Sequence, residues 1–203
     1  AYPITIRYSQ EVRQAIRAFN IFNVHMREPA PDRSAAIEAA RNSDCAVVFV
    51  GSGTTAETEG LDRKSMRLSE EQNALVEDIL AVNPYTVVVV NTGAPVEMPW
   101  AGRASAIIQM WLPGQEGGHA IADVLTGAVN PSGKLPVTFP VAYEDNPTFL
   151  FYPGGLQADY GEGLFVGYRY YDACGIEPLF AFGHGLSYSR FELETVSAPA
   201  RLK

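Results

Sequence analysis

Residues 53–69, GTTAETEGLDRKSMRLS, crowd together side chains that could do chemistry: Glu57 and Glu59 two apart, Gly60 beside them, then Asp62 and Arg63. A glutamate on such a loop can serve as general acid when apolar or anionic neighbours raise its pKa toward the working pH. The plainer reading is a set of surface charges with one local ion pair, and spacing alone favours it. Two further glycine-bearing segments carry a carboxylate, Glu97 in NTGAPVEMPW and Glu116 in LPGQEGG.

Other motifs point more weakly to chemistry. The glycines of PGQEGG lack both GxGxxG order and a P-loop lysine, so a tight turn before a helix is expected there, not a phosphate cradle. Neither GSG nor GLSYS has the GxSxG form of a nucleophile elbow. His25, His119 and His184 show no metal-ligand spacing and are expected to be structural, His184 within a glycine turn. Cys45 and Cys174 form no disulfide framework and are expected as free thiols. No metal and no cofactor is implied.

The elements that must position the carboxylates follow from periodicity. Asp32 or Ser34 can cap a helix with Ala36, Ile37 and Ala40 on one face, and CAVVFV at residues 45–50 is a β-branched buried run. Ser69 and Gln72 have the capping-box form, which predicts a second helix over residues 69–82. YTVVVV at 85–90 and SAIIQMW at 105–111 predict two more strands. QEGGHAIADVLTG predicts a third helix closed by Gly127. Continuous apolar strands between amphipathic helices predict a three-layer α/β sandwich with a mostly parallel sheet covered on both faces, plus an antiparallel edge strand. Beyond residue 130 the aromatic, Gly- and Pro-rich texture predicts turns and short strands. In open parallel sheets ligands gather beyond the carboxyl ends of the strands, which selects the three loops carrying Glu57 or Glu59, Glu97 and Glu116.

At 203 residues and 47% hydrophobic, the chain has room for one sizeable domain and part of a second. Its formal net charge of -8 argues against nucleic acid as a partner, because a phosphate-binding surface concentrates Lys and Arg. No apolar run is long enough to span a membrane. Residues 1–30, with the strand-like YPITIRYSQ and FNIFNV, are expected to be an N-terminal extension, and 31–203 the sandwich domain.

Taken in order, SDCAVVFVG, ETEGLDRKSMRLSEEQNALV, NPYTVVVVNTGAPVEMPW, IIQMWLPGQEGGHAIADVLTGAVNPSGKLPVTFP, YGEGLFVGYRYYD and PLFAFGHGLSYSRFE resemble the C-terminal α/β-sandwich domain of glycoside hydrolase family 3, the β-glucosidase family. The resemblance implies a retaining glycosidase acting on a β-glucoside or oligosaccharide. Its aspartate nucleophile would lie on a TIM-barrel domain, and its acid/base on a sandwich loop. The family's loop pattern, Glu-Gly followed shortly by Asp-Arg, falls on Glu59, Gly60, Asp62 and Arg63, which singles out Glu59 as the acid/base ahead of Glu57.

The region before residue 34 is too short for a barrel of eight β/α units, which needs at least about 200 residues, so the nucleophile is expected outside this chain and the chain alone inactive. Residues 1–30 resemble the end of an inserted protective-antigen-type β-sandwich. A competing expectation makes the domain a non-catalytic carbohydrate-binding or scaffold module packed on a barrel; a nucleotide-binding α/β domain is a third. Tyr160, Tyr168 and Trp111 are expected to be structural, since aromatics usually bury in a core.

Overall fold

Three strands form where the β-branched runs predict them: β1 (Ala46–Gly51), β2 (Thr86–Asn91) and β3 (Ala106–Gln109). They pair in the parallel order β1-β2-β3, with Ala46 opposite Thr86, Val50 opposite Val90 and Val88 opposite Ile107. The computed structural model describes residues 32–53, 56–152, 156–192 and 194. By its contacts the chain divides into two compact units, Ala1–Pro31 and Asp32–Lys203, and all described residues belong to the second. The strand-like N-terminal stretch and His25 lie outside the described residues.

Helix α1 (Ser34–Arg41) begins where Asp32 accepts the Ser34 N–H at 2.9 Å, so of the two candidate caps Asp32 is the one that bonds. Helix α2 (Glu70–Val82) starts at the predicted cap, Ser69, whose hydroxyl accepts the Gln72 N–H at 3.2 Å. Strand side chains alternate between faces. Ala46, Val48 and Val50 of β1 share one side with Val88 and Val90 of β2, and with Val76 and Ile79 of α2 they form a continuous core. Val76, Val88 and Val90 are fully buried. Burial of this kind contributes about 1.5–3 kcal/mol per side chain before conformational entropy is charged.

Asn83, also buried, ties three elements together. Its amide donates to the Ala40 and Ser43 carbonyls at 2.9 Å each, and its side-chain oxygen accepts the Tyr85 N–H at 2.9 Å. An ion pair between Arg33 and Asp78, at 2.8 Å, adds a second link between α1 and α2.

The other side of the sheet differs from the expectation of cover on both faces. It is closed over β2, where Val89 is fully buried, but open over β1, where Val47 and Phe49 are 43% and 56% exposed. The sandwich is therefore complete on one face and, among the described residues, partial on the other. Among the described residues antiparallel pairing takes the form of one bridge, Phe139 with Phe180, each accepting the other's N–H, at 2.8 and 3.2 Å. Phe139 carries that bridge into the core, edge-on to Trp111 with ring centroids 5.9 Å apart.

Helix α3 (Gly117–Leu125) begins at the last two glycines of PGQEGG, and Gly127 closes it by donating to the Val124 carbonyl at 3.2 Å. The aromatic C-terminal part departs from the expected short strands. YRYYDAC folds as a helix, α4 (Tyr168–Cys174), between Gly167 and Gly175, which both have positive φ. Tyr and Phe favour strands, yet here Tyr171 alone turns inward and the flanking glycines set a helical length. Both cysteines are free, and both are exposed.

Candidate active site

The carboxyl end of β1 is gripped by the first turn of α2. The Gly51 N–H donates to Gln72 Oε1 at 2.7 Å, and Gln72 Nε2 donates to the Gly51 carbonyl at 3.0 Å. The predicted capping box is thus half formed, because the Gln72 side chain reaches across to the strand instead of back to Ser69. The loop leaving β1 therefore starts from a fixed point.

Glu57 does not behave as a surface charge. Both its carboxylate oxygens accept the Gly93 N–H, at 3.0 and 2.9 Å, and Arg63 Nη1 lies 3.7 Å from Oε1. The Glu57 and Arg63 side chains are only 19% and 22% exposed. Arg63 also donates to the Pro95 carbonyl at 3.3 Å. Gly93 belongs to the loop after β2, and Leu112 of the loop after β3 touches the same point: a Cβ on Gly93 would sit 3.0 Å from Glu57 Oε2 and 3.1 Å from Leu112 Cδ1. The three loops selected by strand direction do converge, and glycine is what permits it.

The returning limb is held as firmly. The Glu97 N–H donates to the Met66 carbonyl at 2.9 Å, Arg67 pairs with the Glu97 carboxylate at 2.8 Å, and the other Glu97 oxygen accepts the Tyr143 N–H at 3.1 Å. Met66 and Leu68 are buried beneath it. Asp62 accepts a hydrogen bond from the Tyr152 hydroxyl, which holds that phenol above its ordinary value.

Between these attachments stands a short arch, residues 58–61, and all four residues are exposed. The Glu59 carboxylate makes no hydrogen bond or ion pair among the described residues; only its carbonyl oxygen has a contact, a long 3.5 Å one from the Thr58 hydroxyl. Gly60 has φ +79°, a left-handed conformation that turns the chain just after Glu59 at little cost to glycine and more to any other residue.

The remaining candidates have other partners. Glu116 pairs with His119 Nδ1 at 2.7 Å at the exposed start of α3. His184 sits between glycines, as expected, its ring stacked on Phe180 at 5.2 Å and its carbonyl accepting the Leu135 N–H at 2.8 Å. Trp111 packs in the core, with φ 57°, while Tyr168 lies beside Phe182 at 5.4 Å. Tyr160 is 86% exposed, so it has no core role. Gly93 and Pro95 carry no local sequence signal of their part in the loop's path, and Gln72 signals only a helix cap, because their partners lie 21 to 36 residues away.

A parallel α/β sandwich whose first loop lifts one glutamate clear of a convergence of three strand ends matches a described class. The glycosyl hydrolase family 3 C-terminal domain matches residues 1–188, and the chain belongs to that family. Over 161 residues it is 53% identical to thermostable beta-glucosidase B of Acetivibrio thermocellus, covering 79% of this chain and 21% of that protein. It is 48% identical over 174 residues to the probable beta-glucosidase I of Emericella nidulans, covering 84% of this chain and 21% of that one. Among solved structures, the beta-glucosidase of Kluyveromyces marxianus in complex with glucose superposes with a TM-score of 0.76 at 46% identity, over 78% of this chain and 19% of that chain. The chain spans about a fifth of the length of these relatives.

Proposed function

We propose that the chain is the acid/base-bearing part of a retaining β-glycosidase that removes terminal β-D-glucosyl residues, its attacking aspartate being supplied by a barrel domain outside these residues. The observation that carries the proposal is Glu59: an exposed carboxylate without a side-chain partner among the described residues, beyond the carboxyl end of β1, on a loop whose flanks are tied down. Membership of a family whose similar relatives are named beta-glucosidases, one of them solved with glucose, supports the substrate class.

In a retaining reaction two carboxyl groups face each other about 5–5.5 Å apart across the glycosidic bond. The aspartate attacks C1 while Glu59 gives its proton to the departing oxygen. In the second step Glu59, now a carboxylate, takes a proton from the water that attacks the glycosyl–enzyme ester. A Glu59 carboxylate that no described residue engages is available for both transfers.

Glu59→Gln in the full-length enzyme tests this. Hydrolysis of glucosides with poor leaving groups should fall by about 100-fold or more, activated aryl glucosides should suffer far less in the first step, and azide should restore part of the turnover by replacing water. Kinetics unchanged across leaving groups would remove Glu59 from the mechanism and favour a non-catalytic module packed on a barrel.

A further inference from the structure

We propose that Glu57, the other carboxylate of the pair, is a positioning residue: its clamp on Gly93, backed by Arg63, sets where Glu59 stands. The inference rests on Glu59 being the acid/base. The two glutamates have opposite surroundings despite their spacing. Glu57 is mostly covered and spends both oxygens on the Gly93 N–H, at 3.0 and 2.9 Å, whereas the Glu59 carboxylate has no partner among the described residues. A charge-assisted bond to a backbone N–H is among the stronger hydrogen bonds, and this one joins the loop after β1 to the loop after β2.

Arg63 supports the same junction. It approaches Glu57 at 3.7 Å and donates to the Pro95 carbonyl, two residues beyond Gly93, at 3.3 Å. The chain from Glu57 to Arg63 is thus tied at both ends to residues 93–95, and Glu59 rides on the span between. Five residues separate the two ties, so a shift of either would displace the Glu59 carboxylate by an ångström or so. A displacement of that size can cost about 100-fold when a proton must pass between fixed partners.

The defect expected from losing the clamp is therefore specific. Glu57→Ala in the full-length enzyme should lower kcat for glucosides with poor leaving groups by about 10- to 100-fold, with KM nearly unchanged, while activated aryl glucosides lose no more than about threefold in the first step. Glu57→Gln keeps an oxygen that can accept the Gly93 N–H and should recover most of the loss. Gly93→Ala, which pushes a methyl against Glu57 Oε2 and Leu112, attacks the same contact from the opposite loop and should reproduce the leaving-group pattern. It also serves as the test if Glu57→Ala does not fold.

Equal losses on all leaving groups, or none, in both Glu57→Ala and Gly93→Ala would overturn the positioning role. Glu59→Gln run beside them separates the two readings. If it shows the acid-loss pattern and the clamp variants do not, only the positioning inference fails; if it shows none, the assignment of Glu59 itself fails.

Discussion

Tyr171 shows how one side chain's surroundings become a measurable property. Its ring is buried at the inner side of α4, and burial, with smaller contributions from the Asp145 and Tyr170 charges, pushes its phenol up to about 12 from an ordinary 10.0. The fold thus favours the neutral phenol. This contribution to stability is complete below pH 10 and is lost as pH rises from about 10 toward 12, because the unfolded chain ionises first. Thermal unfolding followed across that interval should show a fall in Tm that is smaller in Tyr171→Phe. An equal fall in both proteins would mean that Tyr171 does not carry the effect. The residue scale also explains why Glu57 and Glu59 look alike in the sequence. Both are glutamates in a polar stretch, and what separates them is a backbone N–H at Gly93, 36 residues further on.

At the scale of elements, periodic patterns were legible and long-range ties were not. β1, β2 and α2 follow from β-branched runs and from helical spacing after a Ser cap, and their observed bounds lie within a residue of those expected. α4 was hidden because its tyrosines carry a strand-like preference that a helix between two glycines overrides. Gln72 was legible as a capping residue, yet its side chain serves β1. Gln72→Ala should therefore cost more than a cap position does. It strands the Gly51 N–H and carbonyl together, and a loss of roughly 1–3 kcal/mol is expected in denaturant unfolding. Asn83→Ala should cost a similar amount, about 1–3 kcal/mol, since it removes the amide's bonds to the Ser43 carbonyl and the Tyr85 N–H and leaves the Ala40 carbonyl with only the longer 3.3 Å bond from the Ser43 N–H. A change below about 0.5 kcal/mol in either variant would mean that water replaces the lost bonds.

For the whole molecule, the relevant fact is that the described sandwich is open over β1. Val47 and Phe49 leave apolar side chains on that side of β1 that self-association can cover. Phe49→Ser should leave the unfolding free energy of the 203-residue chain within about 0.5 kcal/mol while reducing self-association and hydrophobic-dye binding. Val48→Ala, one residue earlier and facing the core, should cost about 1–3 kcal/mol. If Phe49→Ser proves as destabilising as Val48→Ala, the exposed side is covered after all. The same incompleteness applies to chemistry. The purified chain should show no turnover of aryl β-glucosides, because the attacking carboxylate is proposed to lie on a barrel domain outside these residues; turnover would place a nucleophile within them.

The arch at residues 58–61 has a bearing on how such a protein can change over generations. Its three exposed side chains, Thr58, Glu59 and Leu61, contribute little to the folded state, while the limbs on either side are bonded to neighbouring loops and buried beneath. Mutations at Thr58 or Leu61 are therefore nearly free of folding consequences and lie beside the proposed reactive group. In the proposed glycosidase such positions are where selection can vary the sugar or aglycone accepted, leaving heritable variation in specificity uncoupled from the survival of the fold.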